Sequence, residues 1–459
     1  MTARTGFVLA GGGFKGAFEL GALRHLIDDL GVTPDVIASA SAGSILGMVL
    51  SQGRTRDEFA RQLDAAQQTL LAMTHTDLVF GHQQWLGELD DSDFARRVTE
   101  MVTDRAVPDL PGGDPDPDQA PDPAPRPRVR RRRDWPELGA LREQFRAAAR
   151  ARKTLTGTTS SVLTLDPFER AIRGQVDVGI PQVHPELIDR PGLQLRMAVT
   201  AVRQRATHYV CEDGTVVGDD AVTPLVDGAP PVGVIDGAIA SSSVPMVFPA
   251  RRLGDDTYVD GGCLQNIPLS AAVALDATRI FTVVAVPLRG DDEPDHARGA
   301  LWAARELGFL ETQEANLAIP LPEGTTNTVI APTLDVVGSF EVHRGLMQID
   351  IDYGWMRAQE TLTRPDDGLA PVVRAATDSV TAQRMRAWHL EQRCIDTGAV
   401  SDARLEVLAG LKSAVRSAVR ARAALGFEPP PHAEAWWTGW ETHSQVIPEH
   451  FPTPAAPVD

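Results

Sequence analysis

The sequence predicts an α/β fold with a mostly parallel central sheet flanked by helices, and three observations carry that expectation. The first fifty residues alternate strand, glycine loop, helix, strand, turn and helix, a start that implies parallel strands covered by helices. Further short apolar runs, Leu195 to Val199, Tyr209 to Cys211, Thr257 to Val259, Ile280 to Val286 and Thr328 to Ile330, supply more strands. Hydrophobic residues make up 43% of 459 positions and charged residues 23%, so the chain can bury a sizeable core and is not disordered as a whole.

In chain order, Phe7-Val8-Leu9-Ala10 reads as a buried strand. The loop Gly11-Gly12-Gly13-Phe14-Lys15-Gly16 follows, and from Ala17 the residues Leu20, Leu23, Leu26, Ile27 and Leu30 recur at helical spacing until Gly31. Val36-Ile37-Ala38 forms the second strand, Ser41 stands at the turn, and Ile45, Leu46, Met48, Val49 and Leu50 open a more apolar helix. Helical patterns continue over Arg56 to Met73 and Ser92 to Val102. From Asp104 to Pro127 Pro and Asp dominate, and Arg126, Arg128 and Arg130 to Arg133 follow, so 104–136 is expected to be a disordered, solvated insertion whose acidic and basic halves neutralise each other, with a lipid-headgroup site on the arginines as the alternative. A helix is expected near Glu137 to Arg152, and a turn at Glu212-Asp213-Gly214. The catalytic unit is drawn over 5–363, with a helical extension over 364–459. Leu405, Leu408, Leu411, Val415 and Val419 line one side of a helix there, before a Pro-rich tail with Trp436, Trp437 and Trp440.

Charge and cysteine content narrow the function class. Sixty-two acidic against 44 basic residues give a net charge of −18, which disfavours nonspecific nucleic-acid binding. Ser44 to Leu50 and Ile280 to Leu288 are the longest apolar stretches, well short of the ~18 residues a transmembrane helix requires. The N-terminus lacks the pattern of a secretory leader, and Cys211, Cys263 and Cys394 are few and scattered, so a cytoplasmic protein with reduced thiols is expected, without disulfides or zinc.

The chemistry concentrates in three places. Gly11 to Gly16 lies between strand and helix, where backbone N–H groups converge on an anion. The same six residues fit a dinucleotide-binding GxGxxG, but that fold requires an acid at the end of the second strand, and Ser39-Ala40-Ser41 stands there instead. Ser39-Ala40-Ser41-Ala42-Gly43 supplies the small residues of a nucleophile elbow, with Ser41 at its centre; alternatively, Ser41 caps the next helix. Asp260-Gly261-Gly262 follows a strand and, taken alone, reads as an ordinary turn. Upstream of it runs Ala240-Ser241-Ser242-Ser243-Val244-Pro245-Met246-Val247-Phe248-Pro249.

Together these four motifs, in this order, resemble the patatin-like phospholipase family over roughly Thr5 to Thr363, with Ile349 to Arg357 similar to the end of the family's domain. The resemblance implies Ser41 as nucleophile, Asp260 as its base, and Gly11, Gly12, Gly13, Phe14, Lys15 and Gly16 as the oxyanion-hole loop. It also implies a lipid acyl hydrolase, of phospholipase A or lysophospholipase type, that needs no metal or organic cofactor. Ser39 departs from the family, which usually has Gly at that position. Asp236-Gly237-Ala238 imitates the family's Asp-Gly-Ala variant but precedes the serine run, so Asp260 is preferred. His208 and His343 are given no role in a Ser-Asp dyad, and Cys263 reads as a small packing residue. Two rival readings stay open: an NAD(P)-binding oxidoreductase using the glycine loop, and a catalytically silent lipid-binding protein of the same fold. The expected partner is a lipid substrate. The helix from Ser401 to Leu425, with Arg404, Lys412, Arg416, Arg420 and Arg422, is expected either to pack on the catalytic unit or to make peripheral membrane contact together with the tryptophans.

Overall fold

The computed structural model describes residues 3–73, 79–82, 161, 163–288, 310–340, 342–366, 368–397 and 402–430. The expected insertion over 104–136, the helices expected at Ser92 to Val102 and Glu137 to Arg152, and Trp436, Trp437 and Trp440 all lie outside those residues.

Among the described residues, the central strands are β1 (Thr5–Leu9), β2 (Val36–Ala40), β5 (Gln194–Ala201), β10 (Arg279–Val283) and β11 (Thr326–Ile330). They lie side by side in the order β11, β10, β1, β2, β5, and every pairing among them is parallel. β6 (Ala206–Cys211) and β7 (Val216–Val217) extend the sheet antiparallel beyond β5. β1 and β2 are buried at every position, as strands covered on both faces must be, which explains why their sequences are continuous apolar runs. β10 ends at Val283, earlier than the apolar run suggests, although the Val284 N–H still donates to Ile330 O.

α1 (Gly16–Arg24) follows β1, and α2 (Ala42–Leu50) follows β2. α3 (Arg56–Ala72) starts on a capping box in which the Thr55 hydroxyl and the Glu58 carboxylate each accept a backbone N–H from the other's position. α1 is buried almost all round because α8 (Arg344–Thr363), which contains Ile349 to Arg357, crosses over it. The crossing is close enough that a Cβ on Gly21 would lie 1.8 Å from Ile351 O, and one on Gly354 would lie 1.9 Å from Phe18 O.

The extension is α9 (Ala370–Thr397) and α10 (Asp402–Ala424). The apolar side of α10 is turned inward: Leu408 and Val415 are buried against Ala387, Leu390 and Cys394 of α9. Two of the five basic residues that could have met headgroups are buried as well, since Lys412 pairs with Glu391 at 2.9 Å and Arg422 donates to Gln359 Oε1 at 2.7 Å. Val380, Met385 and Trp388 of α9 and Ala418 of α10 join the same apolar core as α1 and α8.

Candidate active site

One strand edge organises the site. β5 pairs with β2 up to Ala198, opposite Ala40. Immediately beyond, the same edge is taken by β9 (Asp256–Asp260), which runs the other way and places Asp260 opposite Val199. β2 and β9 therefore arrive end to end on β5. Ser41, the residue after β2, turns with φ 52° and ψ −128°, a left-handed conformation that costs a non-glycine residue of order 1–3 kcal/mol. Its Oγ makes no capping bond to α2; it donates instead to Asp260 Oδ2 at 2.7 Å. Ser41 and Asp260 are 8% and 4% exposed, so this hydrogen bond is sheltered from competing water.

Three consecutive serines at the end of α6 (Val234–Ser241) hold the turn. The single hydroxyl proton of Ser241 goes to Ala198 O at 2.6 Å, leaving its lone pairs to accept from Ser41 N–H at 3.0 Å and from the Ser44 hydroxyl at 2.8 Å. The Ser242 hydroxyl donates to Ser41 O at 2.9 Å, and Ser243 O accepts the Asp260 N–H at 2.9 Å. The other carboxylate oxygen, Asp260 Oδ1, accepts from Gly262 N–H at 2.6 Å. In the sequence the serine run stands out only as part of a motif, although three hydroxyls ending a helix of small residues are a signal for these contacts.

In the glycine loop, Gly11 N–H donates to Asn266 O, Phe14 N–H to Ser339 O, Lys15 N–H to Gly12 O, and Gly16 N–H to Gly13 O and Phe14 O. Gly12 and Gly13 are left as the loop amides with no acceptor among the described residues. Gly13 has φ +62°, and a Cβ there would lie 2.1 Å from Ser339 O, so both the turn and the approach require glycine. The Lys15 ammonium pairs with Asp335 at 2.7 Å. Behind the loop, Glu19 on α1 and Asp350 on α8 are buried carboxyls, and burial pushes both well above the usual carboxylate range.

Ser41, Asp260, Gly12 and Gly13 open on a cavity of about 780 Å³. Its walls are mainly apolar: Ile45, Leu46 and Val49 of α2, Leu70 of α3, and Leu165 and Phe168 beside them. Phe80 sits at its aromatic centre, with ring centroids 5.8 Å from Phe14, 5.4 Å from Phe248 and 6.3 Å from Phe340. Lys15, Asp260 and Asp335 are the charged side chains in the described wall.

The other residues singled out from the sequence lie apart from this arrangement. Ser39 is fully buried in β2, and space for its side chain exists because α2 presents Gly47, whose added Cβ would be 3.1 Å from Ser39 Oγ. Asp236 occupies the first turn of α6, at the opposite end from the serines, and pairs with Arg173 at 2.7 Å. His208 is buried beside Tyr258 OH at 3.1 Å, and burial lowers its pKa. His343 precedes α8, its ring 5.4 Å from that of Trp388. Cys263 is exposed in the cavity wall rather than packed in the interior, because the short turn after Asp260 lifts it out of the sheet. Among the described residues, no three His, Cys, Asp or Glu side chains are grouped so as to hold a metal ion.

A family profile described as Patatin-like phospholipase matches residues 7–273, more than half of the chain. This chain belongs to the patatin-like phospholipase family. At family level it is therefore a lipid hydrolase, and its mixed, mostly parallel sheet with flanking helices is the patatin fold. The span reaches from β1 through the elbow and the Asp260 turn to α7 (Leu269–Ala274). Among solved structures, VipD from Legionella pneumophila is similar at 12% identity, with 99% of this chain and 89% of that chain covered and a TM-score of 0.32. ExoU, in its complex with SpcU from the type III secretion system of Pseudomonas aeruginosa, is similar at 16% identity, with 99% and 74% covered and a TM-score of 0.23. No curated protein matches the chain.

Proposed function

We propose that this patatin-like protein hydrolyses carboxylic ester bonds of lipids through a Ser41-Asp260 dyad. The observation that carries the reading is the 2.7 Å hydrogen bond from Ser41 Oγ to Asp260 Oδ2, made at a strained turn beside two open loop amides and an apolar cavity. Asp260 accepts the hydroxyl proton as Ser41 Oγ attacks the ester carbonyl. The negative charge that develops on the carbonyl oxygen is stabilised by Gly12 N–H and Gly13 N–H, and one such donor is typically worth about 10²–10³ in rate. Collapse of the tetrahedral intermediate expels the alcohol, which takes the proton from Asp260, and leaves an acyl-Ser41 ester. Asp260 then removes a proton from water, which attacks that ester; as the second tetrahedral intermediate collapses, Asp260 returns the proton to Ser41 Oγ and the fatty acid is released. The apolar walls hold the acyl chain, and each buried methylene favours binding by about 0.8 kcal/mol.

The lipid is reached from the surface of a membrane or droplet. Among the described residues no helix is long and apolar enough to cross a bilayer. Met246, in the cavity wall and 56% exposed, and Leu264, 41% exposed and next to the wall residue Cys263, offer apolar contact at the rim.

A fluorophosphonate probe and a short-chain ester test the reading. Wild-type protein should be labelled and active, Ser41→Ala should be neither, and Asp260→Asn should lose nearly all turnover while remaining folded. Labelling of Ser41→Ala, or full activity in Asp260→Asn, would overturn it. Fatty acid released from phospholipid vesicles separates a hydrolase from a silent lipid binder.

A further inference from the structure

Asn266 lies outside the dyad and the open amides, yet it touches the segments that carry both. It is 1% exposed. Its backbone carbonyl accepts Gly11 N–H at 3.3 Å, and its side-chain Nδ2 donates back to Gly11 O at 3.3 Å, so one residue holds both the N–H and the C=O of Gly11. The remaining side-chain atom, Oδ1, has no hydrogen-bond partner among the described residues. It fills the space that two absent side chains would need: a Cβ on Gly11 would lie 2.4 Å from it, and a Cβ on Gly262 would lie 2.6 Å from it. Gly262 is the residue whose N–H holds Asp260 Oδ1, and the same added Cβ on Gly11 would lie 2.7 Å from Ser41 Cβ.

We infer that Asn266 is a positioning residue that registers the glycine loop against the Asp260 turn. The inference rests on the dyad reading above and adds what aligns its two halves. Gly12 and Gly13 follow directly from the residue Asn266 clamps, while its Oδ1 bears on the residue that orients the base. A buried amide suits this task, because its donor and acceptor are fixed in one plane while the side chain itself carries no charge to perturb Asp260. The amide is braced from behind: Nδ2 also lies 3.4 Å from Gln313 Oε1, and the neighbouring Ile267 N–H donates to Asn316 Oδ1 at 3.1 Å. Gln313 is fully buried, so the brace is part of the core and not a solvent-exposed contact.

The test counts competent serines and measures turnover on each. Full-length wild type, Asn266→Ala and Gln313→Leu are titrated to completion with a fluorophosphonate, and hydrolysis of p-nitrophenyl butyrate is expressed per titrated serine. Asn266→Ala should titrate fully, keep KM and the midpoints of the pH profile, and lose about 100-fold in kcat, the scale of an ångström of misplacement. Gln313→Leu, which leaves Asn266 in place but unbraced, should show a smaller loss of the same kind, and it keeps the inference testable if Asn266→Ala fails to fold. Unchanged turnover per titrated serine, or a loss that matches a fall in titratable serines, would overturn the inference. A wild-type protein that neither labels nor hydrolyses the ester would overturn the dyad reading itself, and this inference with it.

Discussion

Ser41 reaches Asp260 at the expense of its own backbone. A side chain at φ 52° and ψ −128° sits in a region that glycine occupies freely, and the turn persists because Ser241, Ser242 and the β5 edge hold it from three sides. Ser41→Gly should therefore be more stable than Ser41→Ala by about 1 kcal/mol in urea denaturation, with both variants inactive. Equal stability would mean that the turn carries no strain. Ser39 leads to a second expectation. Gly47→Ala crowds Ser39 Oγ and Ile37 Cγ2, each 3.1 Å from the new carbon, and should destabilise by about 1–3 kcal/mol. In a Ser39→Gly background part of that cost should vanish, so a double-mutant cycle should show coupling of about 1 kcal/mol; additive effects would show that Gly47 does not accommodate Ser39. Ser41, Asp260 and the glycine loop were legible in the sequence because each is a local pattern of small residues around one reactive group. The pins on Ser41 from Ser241 and Ser242, the Gly47 hollow and the Asn266 clamp were not, since each joins segments far apart in the chain and leaves no local spacing to read.

At the scale of elements, strand and helix positions followed the periodicity of their apolar residues, and the extension shows where periodicity stops being informative. An amphipathic helix with a basic stripe reads alike whether its apolar side meets lipid or protein. In α10 that side meets protein, because Leu390 and Cys394 of α9 receive Leu408 and Val415. The Lys412–Glu391 pair in that interface is 8% and 0% exposed, and burial pushes the Glu391 carboxyl up to about 7. Removing one partner of a buried pair typically costs about 3–5 kcal/mol, whereas replacing both with apolar groups is often neutral or better. Lys412→Met should accordingly lower the melting temperature sharply, and Lys412→Met/Glu391→Leu should recover most of the loss. Because the folded-state value of Glu391 lies above its ordinary 4.5, its contribution is fully present below about pH 4.5 and is lost as the pH rises through 7. Wild type should thus lose stability relative to the double variant between pH 5 and pH 8, and a constant gap would argue against a raised Glu391.

For the whole molecule, a catalytic unit over 5–363 with an extension over 364–459 is a proposal about organisation, and the shared core implies that the two parts unfold together. Val380, Met385 and Trp388 complete the apolar layer over α8, and Arg384 reaches Asp352 at 2.8 Å with both side chains 1% exposed. Calorimetry of the full chain should show one transition for the described parts; two separated transitions would favour an independent extension. On the proposed reading, the approach to lipid is also a property of the whole surface, since a chain of net charge −18 would gain little from anionic headgroups and would rely on local apolar contact. Met246→Asp should reduce hydrolysis of phospholipid vesicles about tenfold, the worth of one inserted apolar side chain, while leaving turnover of a soluble ester within twofold. Equal losses on both substrates would place Met246 in the catalytic frame instead.

The end-to-end meeting of β2 and β9 on β5 has a consequence for how this chain can change over evolutionary time. Ser41 and Asp260 are 219 positions apart, yet their distance is set by two adjacent rungs of one ladder, Ala40 opposite Ala198 and Asp260 opposite Val199. The intervening sequence is not a spacer. Residues can be added or removed between α2 and β9 without altering the gap between Ser41 and Asp260, provided β5 and the serines of α6 keep their places. A slip of β9 by one residue along β5 would instead turn the Asp260 side chain to the opposite face of the sheet. The chain is thus permissive to length and intolerant of register, and insertional variation among its relatives should collect between the rungs rather than on them.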